Sequence, residues 1–221
     1  MEKLVQSLQT SDYVKSLLMR IDRKPFCMNL NGCYLDKPSQ LKTYSMDTGQ
    51  TISAPHMHAK ALEYLEPVLV EGNSILDIGS GSGYLTACFG EAVNVYHLND
   101  KKRGKVIGLE IINELVDFSE SVIHLNFPHL TKYKRNFRIL QKDGKQGYPI
   151  NSKEELYDGI HIGASCEYIP FHLLSQLKKG GIMVIPLKIR ENELMFCVIQ
   201  KDLMNNIHIR EKLPVRYVPL V

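Results

Sequence analysis

The chain has 221 residues, 44% of them hydrophobic, and a formal net charge of +3 at pH 7. That is enough for one domain with a sizeable core, 1–221, and too little charge to argue for a nucleic-acid or membrane partner; no apolar run approaches the roughly 20 residues of a membrane span. The cysteines Cys27, Cys33, Cys88, Cys166 and Cys197 are odd in number and scattered without a C-x-x-C pair, which argues against zinc or thiol redox chemistry and for a reducing, cytoplasmic setting.

Thr10, Ser11 and Asp12 offer helix caps, and Val14, Leu17, Leu18 and Ile21 then recur at helical spacing, predicting a first amphipathic helix to about Asp22. Residues 25–50 carry many turn formers and little periodicity, so 1–50 reads as a helical and irregular covering segment before a core at 51–221. In Thr51-Ile52-Ser53-Ala54-Pro55-His56-Met57-His58-Ala59, Pro55 suits the first turn of a helix continuing through Leu65. Ser53 then stands at the helix mouth, where its hydroxyl can cap the helix or join free N–H groups in holding a carboxylate. Sequence physics alone prefers the cap. His56 and His58 fall on different helix faces and make a poor metal pair, so no metal site is expected.

Ile75-Leu76-Asp77-Ile78-Gly79-Ser80-Gly81-Ser82-Gly83-Tyr84 is the organising stretch: a short buried strand, three alternating glycines and the start of a helix running to about Val93. Glycine accepts positive φ and lets a ligand lie against the backbone, while free N–H groups at the helix start attract polar and anionic groups, which describes a nucleoside-cofactor site. A dinucleotide fold wants glycine or alanine at the sixth position of G-x-G-x-x-G, where Tyr84 stands, so NAD is disfavoured. By itself the motif is also compatible with an ordinary glycine-rich turn.

An insertion at 93–103 precedes a second buried strand, Val106-Ile107-Gly108-Leu109, which ends in Glu110. An acid there can accept both ribose hydroxyls; after any other turn it would read as an exposed strand-end acid. Leu115, Val116, Ser119, Val122 and Ile123 give the next helix its stripe, and residues 137–141 the next strand. The basic clusters Lys101-Lys102-Arg103 and Lys132-Tyr133-Lys134-Arg135 read as solvated loops. Asp143-Gly144 is a turn signal that, after the third strand of a nucleoside fold, lies beside the adenine. Tyr157-Asp158-Gly159-Ile160-His161-Ile162-Gly163-Ala164 is a fourth strand ending in small residues, without the prolines and aromatic that would stack a flipped base. A helix over 171–179, closed by Gly180-Gly181, a strand at 182–185 and a hairpin around Asn205-Asn206 complete the chain. Residues 193–200 and 207–218 are its two strands.

Thr51 to Ala59 resembles the signature of protein L-isoaspartyl (D-aspartyl) O-methyltransferases. The resemblance extends through Leu76 to Phe89, Lys105 to Val116, Asp143-Gly144, Tyr157 to Ala164, Leu177 to Pro186 and Tyr217-Val218-Pro219-Leu220. It implies a Rossmann-like α/β S-adenosylmethionine-dependent methyltransferase fold: a largely parallel sheet, an antiparallel C-terminal hairpin and an N-terminal extension. The implied reaction is methyl transfer to the α-carboxylate of L-isoaspartyl, and potentially D-aspartyl, residues of damaged proteins and peptides, starting repair through a succinimide and leaving S-adenosylhomocysteine. The resemblance puts cofactor contacts at Thr51, Ile52, Ser53, Ala54, His58, Asp77, Gly79, Ser80, Gly81, Ser82, Gly83, Glu110, Ile111, Asp143 and Gly144. It gives Ser53 the catalytic role and puts substrate contacts at Ser53, Ala54, Ile162, Gly163, Ala164 and Val218. The chain departs from the pattern at Leu187-Lys188, in the 93–103 loop and at Val221. A monomer is expected, without nucleic-acid or membrane partners. The rival readings are a methyltransferase for a small carboxylate and a cofactor-binding adaptor.

Overall fold

The computed structural model of the chain describes residues 1–42, 47–150, 156–191 and 193–220. The departure noted at Val221 lies outside the described residues. Apolar residues at helical and alternating spacing form two core clusters, one on each face of a central sheet. Along β3 (Ser74–Ile78), Ile75 faces one cluster while Leu76 and Ile78 face the other, as the two-residue side-chain period of a strand requires.

The seven-stranded sheet has the order β5-β4-β3-β6-β7-β8-β9. β4 (Lys105–Glu110), β5 (Phe137–Gln141) and β6 (Tyr157–Ile162) run parallel to β3, whereas β8 (Glu193–Lys201) and β9 (Ile207–Pro214) follow β7 (Leu177–Arg190) as antiparallel neighbours. β3 lies between β4 and β6, so the chain crosses from one half of the sheet to the other at this strand. The crevice beyond its carboxyl end is where open α/β sheets bind ligands. The expected parallel sheet with an antiparallel end is therefore present.

One face carries α1 (Glu2–Ser7), α2 (Asp12–Arg20), α3 (Pro55–Leu65), α4 (Tyr84–Ala92) and α5 (Asn113–Asn126), whose buried residues belong to one cluster. The predicted cap is at Ser11, whose hydroxyl accepts from the Val14 N–H at 3.2 Å. α6 (Phe171–Gln176) contributes to the cluster on the other face through Leu173.

Four local expectations change, the first being the second hairpin strand, which ends at Pro214 rather than Val218. The segment read as irregular contains a two-stranded hairpin, β1 (Ser39–Lys42) with β2 (Asp47–Ile52), because Ser39 pairs with Ile52 and Gln40 with Thr51. The helix predicted over 171–179 stops at Gln176, and its closing glycines lie inside β7. Leu177 is taken into the sheet opposite Tyr157 and is fully buried; the register then shifts, so that Ile182 pairs with Gly159. Gly180, at φ 80, therefore serves a bulge rather than a helix end. The strand expected at 182–185 extends from Leu177 to Arg190, because β8 pairs with it as far as Arg190 and Glu193.

Candidate active site

All three glycines of the turn after β3 take positive φ: Gly79 at 71, Gly81 at 55 and Gly83 at 82. Gly83 is the left-handed N-cap of α4, and a Cβ there would stand 2.8 Å from the Ser119 Cβ on α5, so this glycine lets the two helices approach. At Gly81 a Cβ would meet nothing closer than 3.9 Å; backbone conformation and the open space above it, rather than packing, hold glycine here. The Gly79 and Ser80 N–H groups both donate to the Leu109 carbonyl, at 2.8 and 3.0 Å, tying the turn to the end of β4.

Glu110, at that end, is buried. One carboxylate oxygen accepts from the Gly81 N–H at 2.9 Å, the other from Ile111 and Ile112 at 2.8 and 3.0 Å. The side chain is thus fixed across the glycine turn by backbone donors, and each oxygen retains capacity for a ligand hydroxyl. Asp77 is buried as well, but its partners are inside the protein: Thr86 Oγ1 donates to it at 2.5 Å and His161 Nδ1 lies 2.7 Å away. It clamps α4 and β6 to β3. The Ser80 hydroxyl is buried without a hydrogen-bond partner among the described residues.

Ser53 does not cap α3. The N-cap residue is Ala54, with no side-chain cap bond and Pro55 in the first turn. The preferred sequence reading fails because Arg23, fully buried beneath the helix mouth, fixes the Ser53 backbone: its Nη2 donates to the Ser53 carbonyl at 2.8 Å and its Nε to the Cys33 carbonyl at 3.1 Å. The other guanidinium nitrogen lies 3.0 Å from His58 Nδ1. Burial, and then the Arg23 charge, hold His58 well below its ordinary 6.5, so the ring is neutral, accepts at Nδ1 and carries its proton on Nε2. Ser53 and Tyr217 instead both line one cavity. Burial pushes the Tyr217 phenol up to about 12, with the nearby Ser53 side chain pulling the other way, leaving an un-ionised hydroxyl at neutral pH.

These groups surround a cavity of about 650 Å³. It is lined by Gly79 and Gly81 of the turn with Gly163 and Ala164, by Glu110 with Asp143 and Gly144, and by Ser53 with the segment 213–220. Gly163 comes so close to the turn that a Cβ on it would lie 2.8 Å from the Gly79 carbonyl oxygen.

The family model described as "Protein-L-isoaspartate(D-aspartate) O-methyltransferase (PCMT)" matches residues 1–221. The chain belongs to this family. Protein-L-isoaspartate O-methyltransferase 1 of Arabidopsis thaliana is 37% identical over 222 residues, covering 98% of this chain and 89% of its own length. The Caenorhabditis elegans protein-L-isoaspartate O-methyltransferase is 40% identical over 173 residues, 77% of this chain and 70% of its own. A Plasmodium falciparum crystal structure assigned as a protein-L-isoaspartate O-methyltransferase, in complex with S-adenosyl-L-homocysteine, superposes with a TM-score of 0.87 at 34% identity, covering 100% of this chain and 97% of that one.

Within this methyltransferase fold, Thr51, Ser53, Ala54, Gly79, Gly81, Glu110, Ile111, Asp143, Gly144, Gly163, Ala164 and Val218 all line the cavity. Ile52 and Ile162 do not: both are core side chains, one on each face of the sheet. Asp77, Ser80, Ser82 and Gly83 stand behind the cavity lining, where they shape the turn. His58 is likewise behind the wall, against Arg23 and the Tyr84 ring, and His56 is the histidine that reaches the cavity, its Nδ1 2.8 Å from Asp36. Sequence reasoning missed Arg23, Tyr217 and Arg216. Only Tyr217 carried a signal, through its place in Tyr217-Val218-Pro219-Leu220.

Proposed function

We propose that this chain transfers a methyl group from S-adenosylmethionine to the α-carboxylate of L-isoaspartyl residues in damaged proteins, with Ser53 and Tyr217 positioning the acceptor. The observation that carries this reading is that Ser53 and Tyr217 line the same cavity as the glycine turn and Glu110, in a chain of the isoaspartyl methyltransferase family. The cofactor fits the residues present. Glu110 is aimed across the turn to take ribose hydroxyls, Gly81 leaves a space that a Cβ would enter, and Asp143 flanks the adenine side. When bound, the group supplies an electrophilic sulfonium methyl.

The protein's own contribution is positional. An α-carboxyl titrates near about 3.3–3.7, so the nucleophile is already ionised at neutral pH and needs no general base. Ser53 and Tyr217, both un-ionised, present hydroxyl donors that orient one carboxylate oxygen. Arg23 fixes the Ser53 backbone from below without placing its own charge in the cavity. Holding the reacting atoms in line in this way supplies up to about 7–11 kcal/mol. Five buried free thiols support a reducing, cytoplasmic setting.

The test uses methyl-labelled S-adenosylmethionine and two peptides that differ only in α- or β-linkage at one aspartate. Base-labile label on the β-linked peptide alone is expected. Label on neither, with cofactor binding intact, would overturn the assignment and favour a small carboxylate. A third peptide carrying D-aspartate tests the wider substrate range.

A further inference from the structure

Segment 215–220 separates two cavities. One side belongs to the cavity described above; Val215, Arg216, Tyr217, Pro219 and Leu220 also wall an outer cavity of about 1110 Å³, whose far side carries Tyr168, Phe171 and Lys188. The segment is held at both ends. The Val215 N–H donates to the Leu194 carbonyl at 2.9 Å, and the Ser165 N–H donates to the Val218 carbonyl at 2.8 Å. Val215 and Tyr217 pack on the core, the Tyr217 ring stacked on Phe196 at 6.2 Å, so the intervening Arg216 faces away from the core and is exposed.

The outer rim has its own charge pattern. Glu167 is paired with Lys188 at 3.3 Å, and Glu193 with Arg190 at 3.3 Å. Arg216 and Lys145 have no carboxylate partner among the described residues, and Glu191 is the rim carboxylate without an ion pair among them. Arg216 differs from the others in one respect: it lines both cavities, next in sequence to Tyr217, which lines the inner one with Ser53. Because Arg216 lines both cavities, an extended peptide that spans them passes this guanidinium close to the residue it places in the inner one.

We propose that Arg216 is a specificity-determining residue, favouring isoaspartyl substrates with an acidic side chain adjacent to the damaged residue, the flanking chain lying in the outer cavity. The proposal rests on the methyltransferase reading given above. The arginine fork matches a carboxylate, and the exposed setting limits the gain to about two- to fivefold.

The experiment compares kcat/KM for β-linked peptides with glutamate, glutamine or lysine beside the isoaspartate, on either side in turn, at low and high salt. Glutamate is expected to exceed glutamine by about two- to fivefold, through KM, with lysine lowest and the spread shrinking in high salt. Arg216→Gln should bring the glutamate and glutamine peptides together, and Arg216→Glu should reverse their order; calorimetry with S-adenosylhomocysteine checks that each variant is folded. An unchanged glutamate-to-glutamine ratio in Arg216→Gln overturns the proposal, including the case where all peptides slow equally, because Arg216 would then act on the carboxylate they share. Absence of label in every β-linked peptide overturns the methyltransferase reading together with this one.

Discussion

The two walls of the cavity are built in different ways. The cofactor wall is local: β3, β4 and the loops that leave them supply a glycine turn whose N–H groups tie to the Leu109 carbonyl and the Glu110 carboxylate. The acceptor wall is assembled from three distant parts of the chain. Arg23 lies next to α2, Ser53 at the mouth of α3 and Tyr217 beyond β9. A wall made of backbone tolerates many side-chain changes and fails when a glycine is lost. A wall made of side chains depends on a buried support that touches no ligand.

Arg23→Leu should separate the two walls most sharply. It leaves the Ser53 and Cys33 carbonyls without their donors, at about 1–3 kcal/mol each, partly offset by relief of a buried charge. A loss of about 3 kcal/mol in urea unfolding is expected. Methyl transfer should fall more than S-adenosylhomocysteine affinity, and an equal fall in both would show that the walls are not independent. Gly81→Val attacks the other side. A β-branched residue at φ 55 is strained and enters the space above the turn, so calorimetry should register a loss of about a hundredfold or more in cofactor affinity, with melting lowered by only a few degrees.

Ser53→Ala removes one hydroxyl and leaves the backbone bond to Arg23 in place. Initial rates should drop about ten- to a hundredfold, with cofactor affinity changed far less. Full activity would remove Ser53 from the positioning of the acceptor. The smallest effect is on pH. His58 is held below 6.5 when folded and titrates near 6.5 when unfolded, so between those values the unfolded chain binds the extra proton. Its contribution to stability is complete above pH 6.5 and declines as pH falls towards the folded value, by up to about 1.4 kcal/mol per pH unit. Melting curves between neutral and mildly acidic pH should show this slope, and His58→Gln should flatten it. Arg23, Tyr84, His161 and His56 are the groups around the ring, so acid should weaken the acceptor wall before the cofactor wall.

What the sequence made legible follows the same division. The strand, glycine turn and helix at 75–92, the strand ending in Glu110 and the strand at 137–141 stand where their periodicity puts them, because short-range spacing and glycine chemistry specify them. The family signature at Thr51 to Ala59 marked the right segment for Ser53 but not its partners. Its preferred local reading, a helix cap, lost to a buried arginine 30 residues upstream. The helix read over 171–179 lost its end for a similar reason, since Leu177 gains more by pairing with Tyr157 in the sheet than by another turn of helix.

The sequence by itself determined the parallel sheet, the cofactor turn and the family, since those depend on residues close together in the chain and on short motifs. Tertiary structure alone decided that His56 rather than His58 reaches the cavity, that Ile52 and Ile162 belong to the core, that Arg23 holds the Ser53 backbone and that Tyr217 lines the cavity with Ser53. The physical reason is reach: hydrophobic period and backbone preference act over a few residues, whereas a buried guanidinium and its carbonyl acceptors meet only after the whole sheet has formed.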